Sequence, residues 1–128
     1  MRLQYVKIAE QKIQVELAIT AVEQAQGLSG RQVLNDNEGM LFVFDSAGKH
    51  SFWMKDMNFP IDIIWFTPSE GGAGNSMKVV YIKKYAEPES FPEMYSPDVD
   101  AKYVLEVVAG FSEKNNLKAG DQVIFLSK

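Results

Sequence analysis

Residues 39–66 read GMLFVFDSAGKHSFWMKDMNFPIDIIWF, and this stretch limits the chain to few folds. Residues 40–44 and 61–66 are dense apolar runs, each too short for a buried helix. Both are rich in branched and aromatic residues and bounded by Gly, Ser or Pro, which marks strands covered on both faces. A Ser46-Ala47-Gly48-Lys49 turn signal predicts that residues 50–54 return as a hairpin beside 40–44. Lys55, Asp56 and Asp62 interrupt the pattern where a plain sheet core has no charge.

The 128 residues suffice for one domain with a hydrophobic core, and 46% apolar with 23% charged residues is a globular balance. A net charge of −4, with thirteen scattered basic residues, argues against nucleic-acid binding, which needs clustered cations to neutralise phosphates. The absence of cysteine excludes disulfides, thiolate catalysis and thiolate metal sites. No apolar run approaches the roughly 18 residues that span a bilayer, so no membrane insertion is expected. Residues 1–4 carry no signal-peptide pattern. The chain reads as soluble and cytoplasmic as it stands, with an exported protein trimmed of its signal as the alternative; nothing in it sets an oligomeric state.

Along the chain, residues 3–9 and 12–18 read as strands about a Glu10-Gln11 turn. Ile13, Val15 and Leu17 alternate with polar neighbours, the period of a strand with one wet face. Thr20 and Glu23 have capping-box spacing, which predicts a short helix ending near Gly27, with Leu28 folding back. Residues 61–67, 77–85, 102–108 and 122–127 are further strands, and 112–116 holds one helical turn. Gly71-Gly72 and Gly74 mark a mobile surface loop over 68–76, and three prolines keep 86–100 irregular. The fold class is mainly β: a compact single-domain β-sandwich or barrel-like antiparallel sheet with one or two short helices. Gly39 and Gly110, at strand ends beside apolar runs, are expected where a side chain would disturb the backbone.

Asp62 shares its strand face with Ile64 and Phe66, and Glu106 with Val104 and Val108. A carboxylate there is costly to desolvate unless paired or hydrogen-bonded, and either could have a raised pKa suited to acid–base work. A buried structural ion pair, or an acceptor for loop amides, explains them equally. Arg31 is the natural fork for Glu106, with Lys55 the alternative donor. Trp53 and Lys55 lie on one face and form an aromatic platform beside a cation, suited to a sugar or carboxylate; otherwise Trp53 is core and Lys55 lies over it. His50 is the one histidine and reads as a surface residue, with no second imidazole to share a metal. EF-hand spacing, a Gly-x-Ser-x-Gly elbow and a phosphate loop are all missing, so no metal and no cofactor is implied.

Gly27-Leu28-Ser29-Gly30-Arg31, the run over residues 39–44, Phe52-Trp53-Met54-Lys55-Asp56, Pro60-Ile61-Asp62, Lys102-Tyr103-Val104-Leu105-Glu106 with Ala109-Gly110, and Lys118-Ala119-Gly120-Asp121 follow one another in order. Together they resemble the DUF192 family, a domain of unknown function, across residues 12–126. The resemblance implies a mainly-β single domain of bacterial or archaeal type, many relatives of which carry an export signal. It assigns no role to the matched Arg31, Lys55, Asp62 and Glu106. Ser29 stands where the family pattern has Met, and Asp56-Met57 where it has Asn-Thr.

Three functions remain in competition. One is a module binding a small sugar-like or anionic ligand in a pocket lined by Arg31, Trp53, Lys55, Asp62 and Glu106. Another is a structural or protein-interaction domain in which these residues form a buried ion-pair network. The third is a small hydrolase or lyase using Asp62 or Glu106 as general acid or base. Apart from these, the loop over 70–75 has little to bury. Replacing it with a shorter turn is expected to leave the melting temperature within a few degrees, roughly the equivalent of 1 kcal/mol, in a thermal melt.

Overall fold

Alternation in the second strand is the simplest link from sequence to architecture. Ile13 and Val15 are buried while Gln14 and Glu16 are exposed, so one face looks into a core and the other into water. In the computed structural model, which describes residues 4–71 and 74–127, this strand is part of a closed barrel. Its strands are β1 (Tyr5–Ile8), β2 (Gln11–Ala18), β3 (Glu38–Gly48), β4 (Ile61–Pro68), β5 (Ser76–Ala86), β6 (Ala101–Val108) and β7 (Gln122–Leu126). Two short helices, α1 (Ala21–Gln26) and α2 (Phe111–Lys114), complete it. The order around the barrel is β1-β2-β3-β6-β4-β5-β7, and closure leaves no unpaired edge.

The mainly-β barrel is as expected, with one change in direction. All neighbouring strands run antiparallel except β2 and β3, which pair in parallel, Val15 facing Gly39 and Leu17 facing Leu41. A parallel pair needs a crossover, and residues 19–37, including α1, supply it. The β1–β2 turn falls one residue earlier than expected. Ala9 and Glu10 both take positive φ, 51° and 63°, the geometry that matches strand twist in a two-residue hairpin.

Strand β3 is covered on both sides. Leu41 joins Val6, Ile13, Ile64, Phe66 and Leu105 inside the barrel. Met40 and Phe42 join Leu28, Met54, Ile63 and Trp65 in a second core on the outer face. The predicted hairpin at 50–54 does not form. β3 already has β2 on one side and β6 on the other, so the segment from Lys49 to Pro60 has no ladder to join. It crosses the outer face as an irregular strap. Phe52 and Met54 turn inward, Trp53 and Lys55 outward, and one bridge joins Phe52 to Tyr95.

The loop between β4 and β5 contains Gly72 and Ala73, which lie outside the described residues, so its expected mobility is not addressed. Asn75 is tied to β7: its carbonyl accepts from the Phe125 amide at 2.9 Å, and its side-chain amide donates to the Phe125 carbonyl at 3.3 Å. A shortened turn must therefore keep Asn75.

Gly39 and Gly110 meet the expectation of crowding or unusual backbone. Gly110 has φ of 94°, with the Tyr85 hydroxyl 3.2 Å from where a Cβ would stand. At Gly39 a Cβ would fall 2.7 Å from the Glu106 carbonyl oxygen, a backbone atom that cannot swing away. Gly39→Ala is expected to destabilise by roughly 1–3 kcal/mol in urea, while Gly74→Ala, with nothing within 4 Å, stays near neutral. Equal midpoints for the two variants would contradict this account.

Candidate functional site

The capping box at Thr20 forms as its spacing predicts. Thr20 Oγ accepts from the Glu23 amide at 3.1 Å, and the Glu23 carboxylate accepts in turn from the Thr20 amide at 3.0 Å. α1 has only six residues and buries none of them, so tertiary bonds hold it. Gln24 supplies these, donating to the carbonyls of Ala18, Ile19 and Val43. Gly27 ends the helix with φ of 49°, and its bare Cα lets the Phe42 ring approach, 3.3 Å from where a Cβ would be. Leu28 then drops into the outer core.

The turn after α1 is stapled to the strap. Ser29 Oγ donates to the Lys55 carbonyl at 2.9 Å, the Gly30 amide to the Asp56 carbonyl at 2.9 Å, and Asn58 to the Arg31 carbonyl at 2.8 Å. Asp56 takes φ of 58°, a conformation that Asp and Asn adopt more readily than other side chains. Between α1 and the strap is a cavity of about 270 Å³. Phe42, Phe44 and Glu106 come to it from the barrel wall, Gln24 and Ser29 from α1 and its turn, and Ser51, Phe52, Trp53 and Met57 from the strap. Met94 lies at its margin, 52% exposed.

The expected site residues are divided by this arrangement. Trp53, 43% exposed, lines the cavity, with its ring 5.1 Å from Phe91 and the Lys55 ammonium 5.7 Å from its centroid. Lys55 and Asp56 line a second hollow, of about 500 Å³, which shares Trp53 and Ser29 with the first. The platform of aromatic and cation is therefore formed. Arg31 is elsewhere: its guanidinium forks onto exposed Glu16, Nη1 to Oε1 at 2.9 Å, and that bond holds the Glu16 carboxyl below the usual range. The expected Arg31–Glu106 pair does not form, so loss of Glu106 leaves no buried cation behind. β2, which carries Glu16, lies beside the turn at Arg31; β6 is two strands further round, beyond β3.

Asp62 is fully buried and accepts three backbone bonds, from Tyr85 at 2.9 Å, Gly110 at 3.2 Å and Ser112 at 2.8 Å. It serves loop amides and lines neither hollow. Glu106 is the opposite case. It is 4% exposed, faces Met40 and Ile63 across the neighbouring strands, and has no hydrogen-bond or ion-pair partner among the described residues. Burial pushes its carboxyl up to about 8. His50 is half-buried, stacked on Phe44 at 3.7 Å, with its Nε2 3.0 Å from the Ser46 carbonyl. Among the described residues no three His, Asp or Glu side chains converge on a metal position, and no helix is long and apolar enough to cross a membrane.

Sequence reasoning missed Gln24, Ser29, Phe42, Phe44, Ser51 and Met94 as lining residues. Thr20 and Gly27 place α1 but not what it faces, and nothing in the sequence marks Met94.

Because Glu106 is higher in pKa folded than unfolded, the native state holds its extra proton between pH of about 4.5 and about 8. Its contribution to stability is complete below that window and is lost as pH rises through it. Glu106→Gln is expected to match the parent near pH 4.5 and to gain on it by up to about 1.4 kcal/mol per pH unit towards pH 8. Urea melts at the two ends of the window measure this; parallel curves would mean that the carboxyl titrates normally.

The family model DUF192, described as Uncharacterized ACR, COG1430, matches residues 4–125. A solved structure of a protein of unknown function from Novosphingobium aromaticivorans DSM 12444 is similar at 28% identity, with a TM-score of 0.78, over 93% of this chain and 82% of that one. A second, from Sinorhizobium meliloti 1021 and described as a candidate transcription regulator, has 25% identity and a TM-score of 0.81 over 94% of this chain and 90% of that one. No curated protein matches the chain.

Proposed function

Since the chain belongs to the DUF192 family, whose description names no activity, we propose from the site itself that it is a small-ligand-binding module. The ligand we favour is sugar-like, seated between α1 and the strap. The observation that carries this is Glu106, a buried carboxyl with no protein partner, bordering a cavity with aromatic walls. With no protein donor on it among the described residues, the carboxyl is free to hydrogen-bond a hydroxyl-bearing ligand in the cavity. Half-exposed Trp53 offers an apolar face to a ring, and Gln24, Ser29 and Ser51 add polar edges.

The small anionic ligand is the weaker half of the expectation. Among the described residues no cationic side chain lines the cavity; Arg31 is engaged with Glu16, and Lys55 belongs to the adjoining hollow. An ion-pair network lacks its pairs, because among the described residues neither Asp62 nor Glu106 meets a cation. The hydrolase or lyase reading lacks a second titratable group, since Glu106 is the one acid among the lining residues and no base accompanies it.

Tryptophan emission tests the proposal. Trp65 is fully buried, with its Nε1 bonded to the His50 carbonyl at 2.9 Å, so a ligand-induced change should come from Trp53. A panel of hexoses, hexosamines and disaccharides is expected to contain one that shifts the emission saturably. At 100 times its Kd that compound should add about 2.7 kcal/mol to stability. Trp53→Ala should weaken it by roughly tenfold or more, since stacking on an aromatic contributes on the order of 1–3 kcal/mol. A saturable signal that survives unchanged in Trp53→Ala would move the ligand out of this cavity.

A further inference from the structure

A glutamine at position 106 would give the cavity a polar group of the same shape without the cost of burying an acid. An acid here is explained if the ligand brings the missing charge. Met40 and Phe42 face Glu106 from β3, Ile63 from β4, and Gln24 and Ser29 from α1 and its turn, and none of these titrates. Lys55 and Asp56, charged residues on the site's border, line the adjoining hollow that shares Trp53.

We infer that the cavity selects ligands bearing an ammonium group, which is received by the Glu106 carboxylate among the rings of Phe44, Phe52 and Trp53. This rests on the small-ligand reading above and sharpens its class to an amino sugar or a polyol amine of similar size. Three observations converge on it. The carboxyl is buried and unpartnered, so a cation both satisfies its oxygens and supplies the charge that makes ionisation favourable there. Aromatic rings form part of its walls, and ring faces attract cations. Among the described residues no lysine, arginine or histidine lines the cavity beside the carboxylate; the Lys55 ammonium stands 5.7 Å from the Trp53 ring centroid on the side of the adjoining hollow, and His50 is stacked on Phe44.

The proton balance is simple. Near pH 7 the empty cavity holds Glu106 as the neutral acid. On binding, its O–H bond breaks, the proton leaves to solvent, and the carboxylate remains against the ammonium, which keeps its own protons. Each ligand bound should release close to one proton.

Isothermal titration at pH 7, in two buffers of different ionisation heat, reads both affinity and proton release. The probes are glucosamine, glucose, glucuronate and cyclohexylamine. Glucosamine is expected to bind on the order of tenfold tighter than glucose, with glucuronate weakest and about one proton released per glucosamine. In Glu106→Gln, glucosamine should fall to the affinity of glucose and the proton release should vanish. Equal binding of glucosamine and glucose by the parent overturns the ammonium inference while the sugar-like reading stands. Cyclohexylamine binding with proton release, with every sugar silent, supports the ammonium site and overturns the sugar-like reading. Silence from all four overturns both. A glucosamine preference that persists in Glu106→Gln places the ammonium elsewhere and also overturns the inference.

Discussion

Three backbone amides converge on the carboxylate of Asp62, and one end of the barrel is built around them. They belong to Tyr85, near the end of β5, and to Gly110 and Ser112, where β6 gives way to α2. Tyr85 and Gly110 both hold positive φ, 52° and 94°, which turns their amides out of the ladder. Without an acceptor those donors would be buried and unpaired. A single side chain satisfies all three, and bonds to a charged acceptor contribute roughly 1.5–3 kcal/mol each. They also offset the desolvation of the carboxylate, so the charge needs no cation. β4, β5 and β6 are thereby tied together, and the register of β4 against β6 is held.

That register sets the second carboxylate in place. Asp62 lies opposite Val107 and Ile63 opposite Glu106, so the two acids are one step apart in the ladder and on opposite faces of the sheet. Asp62 shares the inner face with Ile64 and Phe66, at the barrel end where free amides are close by. Glu106 stands mid-strand on the outer face, where backbone donors are consumed by the ladders to β3 and β4. With the sheet unable to satisfy it, only a side chain of the cover could do so. α1 and the strap bring amides, hydroxyls and aromatic rings there, but no cation. The difference between a structural acid and a candidate binding acid is thus one of donor supply.

The same reasoning explains what the sequence made legible. Patterns that depend on one residue and its near neighbours were readable: the alternation in β2, the capping box at Thr20, the positive-φ glycine at 27 and the doubly covered run at 40–44. Strand neighbours were not, because period 2 says which face a residue takes but not which strand it meets. The hairpin expected at 50–54 failed for this reason. Phe52, Trp53, Met54 and Lys55 do alternate in burial, yet the strap makes one bridge, to Tyr95, instead of a ladder with β3. The two acids were identifiable as costly, while their partners were not. Arg31 meets Glu16 because β3 and β2 pair in parallel, a relation no local pattern encodes.

The departures from the family pattern gather in one place. Ser29, Asp56 and Met57 all border the two hollows: Ser29 both of them, Met57 the first and Asp56 the second. They also meet along one seam, where Ser29 Oγ bonds the Lys55 carbonyl and the Gly30 amide bonds Asp56. The matched positions have a different distribution. Gly39 permits close approach of β3 to β6, Gly110 and Asp62 close the barrel end, and Gly27 admits Phe42. Those contacts fix the backbone that carries Glu106. Substitution at Ser29 or Met57 changes the wall of the cavity without touching that frame, since the Gly30–Asp56 bond of the seam uses main-chain atoms alone. A Met at 29 would remove the hydroxyl bond to Lys55 and fill part of the cavity with a flexible apolar chain. The seam is accordingly where the wall of the cavity can vary, while the Glu106 carboxyl stays in place.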